Sequence, residues 1–275
     1  MTITKLSSTR QPPLVANRRK PRRPVRQLLA LAAALLLAHS SSGVEFQSRV
    51  QASQVIELYT SEGCSSCPPA DRWLSQFKES PELFTSLVPL AFHVDYWDYI
   101  GWRDPYAQAQ YSARQRRYAQ QGRLHSVYTP GFVVNGQEWR QWFQSHGQLP
   151  TAPSELPGIL KGVLNDNLLQ VSFVRAGDYT LHLAYLGLGL SSQVTAGENR
   201  SRHLAHDFVV LKQWQADSSS ASPSSNTLAN SPATWQLSLP AIPDFGQQQT
   251  ALVIWLSKGQ ALTPIQATGT LLAGR

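Results

Sequence analysis

The sequence is short of several things. Its 275 residues include two cysteines and one methionine, and charged residues make up only 15 %. Two cysteines cannot build a disulfide-rich scaffold or a four-cysteine zinc site. The apolar run Leu28–Ala38 holds eleven residues, where a membrane-spanning helix needs about 20. There is no phosphate-binding loop, no dinucleotide fingerprint and no Gly-x-Ser-x-Gly elbow. Basic charge is also scarce once it is located. Lys5, Arg10, Arg18, Arg19, Lys20, Arg22, Arg23 and Arg26 all precede Gly43, with no acid among them. The rest of the chain has 16 basic against 17 acidic residues, so the net charge of +7 belongs to the first 43 residues. A body of net charge −1 lacks the basic surface that nucleic-acid binding requires. What is present is 42 % hydrophobic content and eight tryptophans, which excludes a disordered chain or a coiled coil.

A basic segment, a short apolar run and the small residues Ser40–Gly43 describe a secretory leader over residues 1–43, with Ala38-x-Ser40 as the cleavage site. The basic segment is long, which leaves an alternative start or an uncleaved anchor open. The expected location is periplasmic or secreted, with no membrane contact after leader removal. Disulfides persist in such a compartment.

Val55–Thr60 is β-branched and aromatic, and it ends at Ser61-Glu62-Gly63, as a buried strand running into a turn does. Cys64-Ser65-Ser66-Cys67-Pro68-Pro69 follows. Proline is tolerated in a first helical turn, and Trp73, Leu74 and Phe77 then share a helix face. Leu87–Tyr96 reads as a second strand and Pro105–Gln121 as a helix. Val127–Gly136 reads as a strand led in by Thr129-Pro130 and closed by an Asn-Gly turn. A further helix is expected near Ser154–Asn165. From Leu168 onward, short strand-like runs at Leu169–Val174, Tyr179–Leu186, Phe208–Trp214, Thr234–Leu239 and Ala251–Ser257 suggest an all-β second unit. Within it, residues 216–232 are rich in Ser, Asn, Ala and Pro and read as a flexible loop. The predicted class is α/β for residues 50–166, followed by a sandwich-like β part over 167–275.

The chemistry is expected at Cys64 and Cys67. At a helix start, a thiolate faces unpaired N–H groups and the positive end of the helix dipole, which lowers its pKa. Cys64 is then the nucleophile toward a disulfide, and Cys67 resolves the mixed intermediate. Two thiolates with an imidazole from His93, His125 or His146 also suit Cu(I) or zinc. A permanent local disulfide, or two idle thiols, is the plainest alternative.

The strand ending in Gly63-Cys64-Ser65-Ser66-Cys67-Pro68-Pro69-Ala70-Asp71, with Thr129–Gly136 downstream, resembles the thioredoxin superfamily. With Gly197-Glu198-Asn199-Arg200 and His203–Val210, it is most similar to a family of secreted bacterial thioredoxin-like proteins known as domain of unknown function 1223. The resemblance implies a thioredoxin-like N-terminal domain and a cis peptide bond before Pro130. It also implies that Thr129 and Pro130 bind the substrate chain, and that an acid below the cysteines, here Glu57, relays protons. The implied partners are protein thiols or disulfides and a redox partner protein. No cofactor is implied.

The function read from these residues is thiol–disulfide exchange on exported proteins. The alternatives are a Cu(I)-handling protein that uses the same cysteines and a non-catalytic binding module. Other features carry less. His203 and His206 would point to opposite faces of a strand, which disfavours a shared metal. Asn199-Arg200-Ser201 is a glycosylation sequon only in a eukaryotic secretory pathway. Asp71 reads as an ordinary helix acid. The aromatic segment Tyr96–Tyr111 either lines a peptide groove or packs internally.

Overall fold

The computed structural model of the chain describes residues 1–2, 43–145, 147–217 and 232–273. Nearly all of the predicted leader, His146 and residues 218–231 of the predicted loop lie outside the described residues. Ala216 and Asp217, the first two residues of that loop, belong to a strand.

In chain order the first half forms β1 (Val44–Gln47), β2 (Gln54–Thr60), α1 (Pro68–Ser75), β3 (Leu87–His93), α2 (Ala109–Gln120), β4 (Gly131–Val134) and β5 (Gln137–Glu138). The second half is built of β6 (Leu160–Asn165), β7 (Leu168–Phe173), β8 (Tyr179–Leu188), β9 (Leu190–Gln193) and β10 (His203–His206). It continues with β11 (Val209–Asp217), β12 (Ala233–Ser238), β13 (Gln249–Lys258) and β14 (Gln266–Leu271). Of the described residues, 39 % lie in strands and 14 % in helices.

This composition corrects the predicted class. The chain is mostly β-sheet rather than an α/β, thioredoxin-like N-terminal domain followed by an all-β sandwich-like part. One sheet of eight strands, in the order β14-β13-β8-β11-β3-β2-β4-β5, takes strands from both halves. The joint is β11, which pairs in parallel with β3 at Val209 and Ala91 and antiparallel with β8 on its other side. The physical reason lies in burial. Thr180–Leu188 of β8 and Ala251–Ser257 of β13 are buried without interruption, as in strands covered on both faces. They sit mid-sheet, and β11 ties them to the open edge of β3. Residues Ser42–Arg275 accordingly form one compact unit.

The helix expected near Ser154–Asn165 is also corrected. Leu160, Gly162 and Leu164 are buried and alternate with half-buried neighbours. That period of two makes a strand, and Pro157-Gly158 breaks any helix before it.

Register fixes what lies on each face of the large sheet. Ala91 and His93 share a face, and Ala91 lies opposite Val209. The same face carries Leu181, Leu183, Tyr185, Leu211, Leu252 and Ile254. These pack against Phe46, Leu160, Leu169, Val171, Phe173 and Trp235 of the antiparallel sheet β1-β6-β7-β12. Helix α2 covers the opposite face, with Tyr111, Ser112, Arg114, Gln115 and Tyr118 buried at helical spacing. Between β4 and β5, Asn135 and Gly136 both have positive φ, 51° and 78°, the backbone of the tight hairpin that Asn-Gly favours.

Candidate functional site

Strand β2 delivers Thr60 to the sheet end, and Ser61-Glu62-Gly63 turns the chain into Cys64. Gly63 is required there, because a Cβ would sit 2.8 Å from Cβ of Trp97. Cys64 and Cys67 form a disulfide, with Cα atoms 5.4 Å apart. Cys67 is the N-cap of α1, and Pro68 and Pro69 occupy its first turn.

The local consequence differs from the expectation of free amide donors around Cys64. Pro68 and Pro69 have no N–H, and the Ala70 and Asp71 amides donate to Cys67 O at 2.8 and 3.1 Å. The described polar neighbour of Cys64 Sγ is Ser66 Oγ, at 3.4 Å. Both cysteines are buried, at 1 % and 0 % exposure, although Ser65 and Ser66 between them are exposed.

The cover comes from the second half of the chain. Strands β9 and β10 form a separate two-stranded hairpin, and its tip lies on the Glu62–Ser65 segment. The Asn199 side chain donates through Nδ2 to Glu62 O at 2.8 Å and to Cys64 O at 2.9 Å. Its Oδ1 accepts from Arg202 Nη1 at 3.0 Å. The Glu198 carboxylate accepts from the Ser65 amide at 2.9 Å, and hydrogen bonds from the Ser65 hydroxyl and amide hold the Glu198 carboxyl below its ordinary pKa.

Beside the disulfide is a buried cluster of titratable groups. Glu62 Oε1 lies 3.1 Å from His206 Nε2, and Glu62 Oε2 accepts from Trp102 Nε1 at 2.8 Å. His206 Nδ1 is 3.9 Å from Asp71 Oδ2. His93 Nδ1 is 2.7 Å from Asp104 Oδ2, which also accepts from the Glu62 amide at 2.9 Å. The two imidazole centroids are 4.9 Å apart. Burial pushes the Asp71 carboxyl up, against the pull of His206 and His93. Burial works against charge on His93, yet the adjacent Asp104 outweighs it and raises the His93 pKa. Asp104 likewise resists burial, and His93 holds its carboxyl below the ordinary range. Both shifts favour the charged pair. His93 Nε2 and His206 Nδ1 are buried and make no hydrogen bond among the described groups.

The remaining candidates fall in different places. Glu57 is buried on the α2 face, away from this cluster. It receives Arg114 Nε and Nη2 at 2.8 and 2.7 Å and the hydroxyls of Tyr59 and Tyr118 at 2.8 and 2.7 Å. Thr60, three residues on, adjoins Asp71 on the other face. The Thr129–Pro130 bond is cis. Thr129 Oγ1 accepts from Trp97 Nε1 at 2.7 Å, so Trp97 links Thr129 to the turn at Gly63. Of the aromatic segment, Tyr99 is 82 % exposed, while Tyr106 and Tyr111 are buried. His203 is exposed and His206 buried, as the strand period requires. The His125 amide donates to Glu138, and no group of three or more His, Cys, Asp or Glu side chains among the described residues could hold a metal ion.

Sequence reasoning missed Glu62, Asp71, Asp104, His206 and Asn199 as neighbours of the cysteines. Glu62 and Asp71 carried a local signal, as acids within four residues of a cysteine, and Asn199 and His206 stand in segments that carry the family resemblance. The others arrive from far along the chain.

Fold and site thus define a mostly β protein in which one helix-start disulfide lies under a hairpin and beside an acid–histidine cluster. The chain belongs to the family described as "Protein of unknown function (DUF1223)", which it matches over residues 55–257. Among solved structures it is similar to protein AGR_C_4864 from Agrobacterium tumefaciens. The identity is 22 % and the TM-score 0.55, over 82 % of this chain and 96 % of that one. It is also similar to HBP35 of Porphyromonas gingivalis, at 13 % identity and TM-score 0.43, over 81 % of this chain and 76 % of that one. No curated protein matches it.

Proposed function

We propose that the chain is an exported thiol–disulfide oxidoreductase of the periplasm or extracellular space, acting on other proteins through Cys64 and Cys67. The observation that carries the reading is a disulfide between residues three apart, placed where a strand turns into a helix. So small a ring restricts the unfolded chain little, about 2 kcal/mol by loop-closure entropy, so stability alone is a weak reason for it. In the forward step the reduced pair acts: the Cys64 thiolate attacks a client disulfide, and one client cysteine leaves as thiolate. Cys67 then attacks the mixed disulfide, releasing the second client thiol and closing the Cys64–Cys67 bond. Cys64 is assigned the exposed side of that exchange because Ser65 and Ser66 beside it reach solvent. Half-buried Thr129, joined to the site through Trp97, and exposed Tyr99 are assigned to the client chain.

The direction of exchange follows from the donors around the sulfurs. An oxidant such as DsbA is strong because its reduced form is stabilised. Here the first helical turn has two prolines, and three carboxyl groups lie nearby, so a Cys64 thiolate gains little. The pair is expected to favour the oxidised state and to act as a reductant when supplied with electrons.

Equilibration in glutathione buffers, with thiol trapping, tests both points. The expected outcome is reversible exchange in the folded protein, with a potential below about −220 mV and Cys64 alkylated before Cys67. The burial of both cysteines favours a second reading, a binding module with a static disulfide. A pair that is reduced only when the protein unfolds would establish that reading and remove the first.

A further inference from the structure

The 1 % exposure of Cys64 sits beside two exposed serines, and the main chain around the sulfur is held by groups remote in the sequence. Helix α1 and the turn before it come from residues 61–75, but the hairpin that holds the turn lies between 133 and 144 residues further on. Three hydrogen-bonding groups hold it. Glu198 accepts the Ser65 amide, Asn199 bridges Glu62 O and Cys64 O, and His206 on β10 meets the Glu62 carboxylate. These groups differ in kind. Asn199 and His206 are fully enclosed, at 0 % and 2 % exposure, and belong to the fixed packing of the hairpin. Glu198 is exposed and meets the disulfide loop at one residue, Ser65, through its hydroxyl and its amide.

That contact has the form of client recognition. Ser65 lies between the two cysteines, and its N–H is an exposed main-chain donor next to the reactive bond. A polypeptide laid along the site would offer it a carbonyl or a carboxylate, the acceptor that Glu198 now provides. We propose that Glu198 is a specificity-determining residue that occupies the client's place at the Ser65 amide. The hairpin tip then yields to a polypeptide carrying an acceptor beside its own sulfur, and excludes small thiols that carry none. This proposal rests on the redox reading above and adds the class of substrate, an extended polypeptide rather than a low-molecular-weight thiol.

Dithiothreitol is a suitable probe because it carries hydroxyls but no carbonyl or carboxylate to exchange for Glu198. Its thiolate attacks one sulfur of the Cys64–Cys67 bond and the other sulfur leaves as thiolate. The second thiol of the reagent then closes the cyclic disulfide and frees the remaining cysteine. Two electrons pass from reagent to protein, and the reagent is oxidised. The full chain and its Glu198→Ala and Glu198→Gln variants are compared at constant pH, with the Ser65 amide followed by hydrogen exchange. Loss of one charge-assisted hydrogen bond should speed reduction of Glu198→Ala roughly tenfold, with Glu198→Gln between it and the parent. Exchange of the Ser65 amide should quicken in the same order.

If all three proteins are reduced at one rate, Glu198 is no gate, while the redox reading stands. If none is reduced until unfolded, the redox reading falls and the gate falls with it. Because Glu198 is exposed, the substitutions leave the hairpin core intact, and unchanged thermal midpoints verify that.

Discussion

Two buried polar clusters lie on opposite faces of the same sheet, and they are built differently. Under α2, Glu57 is matched by Arg114 in a two-pronged ion pair and by two tyrosine hydroxyls. The guanidinium also lies over the rings of Phe92, Tyr118 and Trp255 at 5.3 to 5.7 Å. One positive and one negative group are fully satisfied, and Tyr59 and Tyr118 are pushed well above their ordinary pKa, chiefly by burial. Near the disulfide, three carboxyl groups share two imidazoles, and two ring nitrogens have no described hydrogen-bond partner. The first arrangement matches one carboxylate with one guanidinium, whereas the second holds more carboxyl groups than imidazoles and leaves ring nitrogens unpartnered among the described groups. A buried acid is therefore not by itself a candidate proton carrier. What matters is whether its partners leave it free to titrate.

The largest effect that would break this contrast is expected at Arg114. Arg114→Met leaves Glu57 buried and uncompensated, which should cost about 3–5 kcal/mol, measured by urea unfolding. The cysteine potential should stay unchanged. A large shift in potential with little loss of stability would mean that the α2 cluster, not its counterpart, is coupled to the sulfurs.

The second test separates the faces by pH. His182 stacks on Trp255 at 5.1 Å beside Arg114. Burial, with the charges of Arg114 and Arg117, lowers its pKa to about 3. The folded state then resists a proton that the unfolded chain takes up near 6.5, so stability falls as pH drops from about 6.5 toward 3. Each unit between the two values is worth about 1.4 kcal/mol. His182→Gln should flatten that acid limb, and an unchanged limb in the variant would assign it to other groups.

The smallest effect is expected near the disulfide and has the opposite sign. His93 has a raised folded pKa, so its stabilising contribution is complete below about 6.5. It is lost as pH rises through the raised value. Unfolding measured between pH 6 and 9 at fixed ionic strength should show a shallow decline that His93→Gln removes. A flat wild-type profile would contradict the charged His93–Asp104 pair.

Much of the local framework was legible in the sequence. Val55–Thr60, the helix begun by Pro68-Pro69 and the Asn135-Gly136 turn depend on neighbours a few residues away, and each lies close to where the pattern put it. Strand runs after Leu168 were legible too, because β-branched and aromatic alternation is a local property. The Ser154–Asn165 helix was misread, since the alternation of Leu160, Gly162 and Leu164 is too short to outweigh a generally apolar segment. The continuation of β3 into β11 was not legible at all. Nothing within Leu87–His93 records that its free edge will meet Val209.

The sequence by itself determined that two sulfurs would meet where a strand passes into a helix, because four adjacent residues and two prolines are enough to fix that geometry. Tertiary structure decided how much solvent those sulfurs see and which ionisable groups adjoin them. His206 and Asn199 reach them only when the separate β9–β10 hairpin, remote in the chain, docks beside them. Asp104 arrives from the loop after β3, and packing over such separations leaves no mark at the site itself.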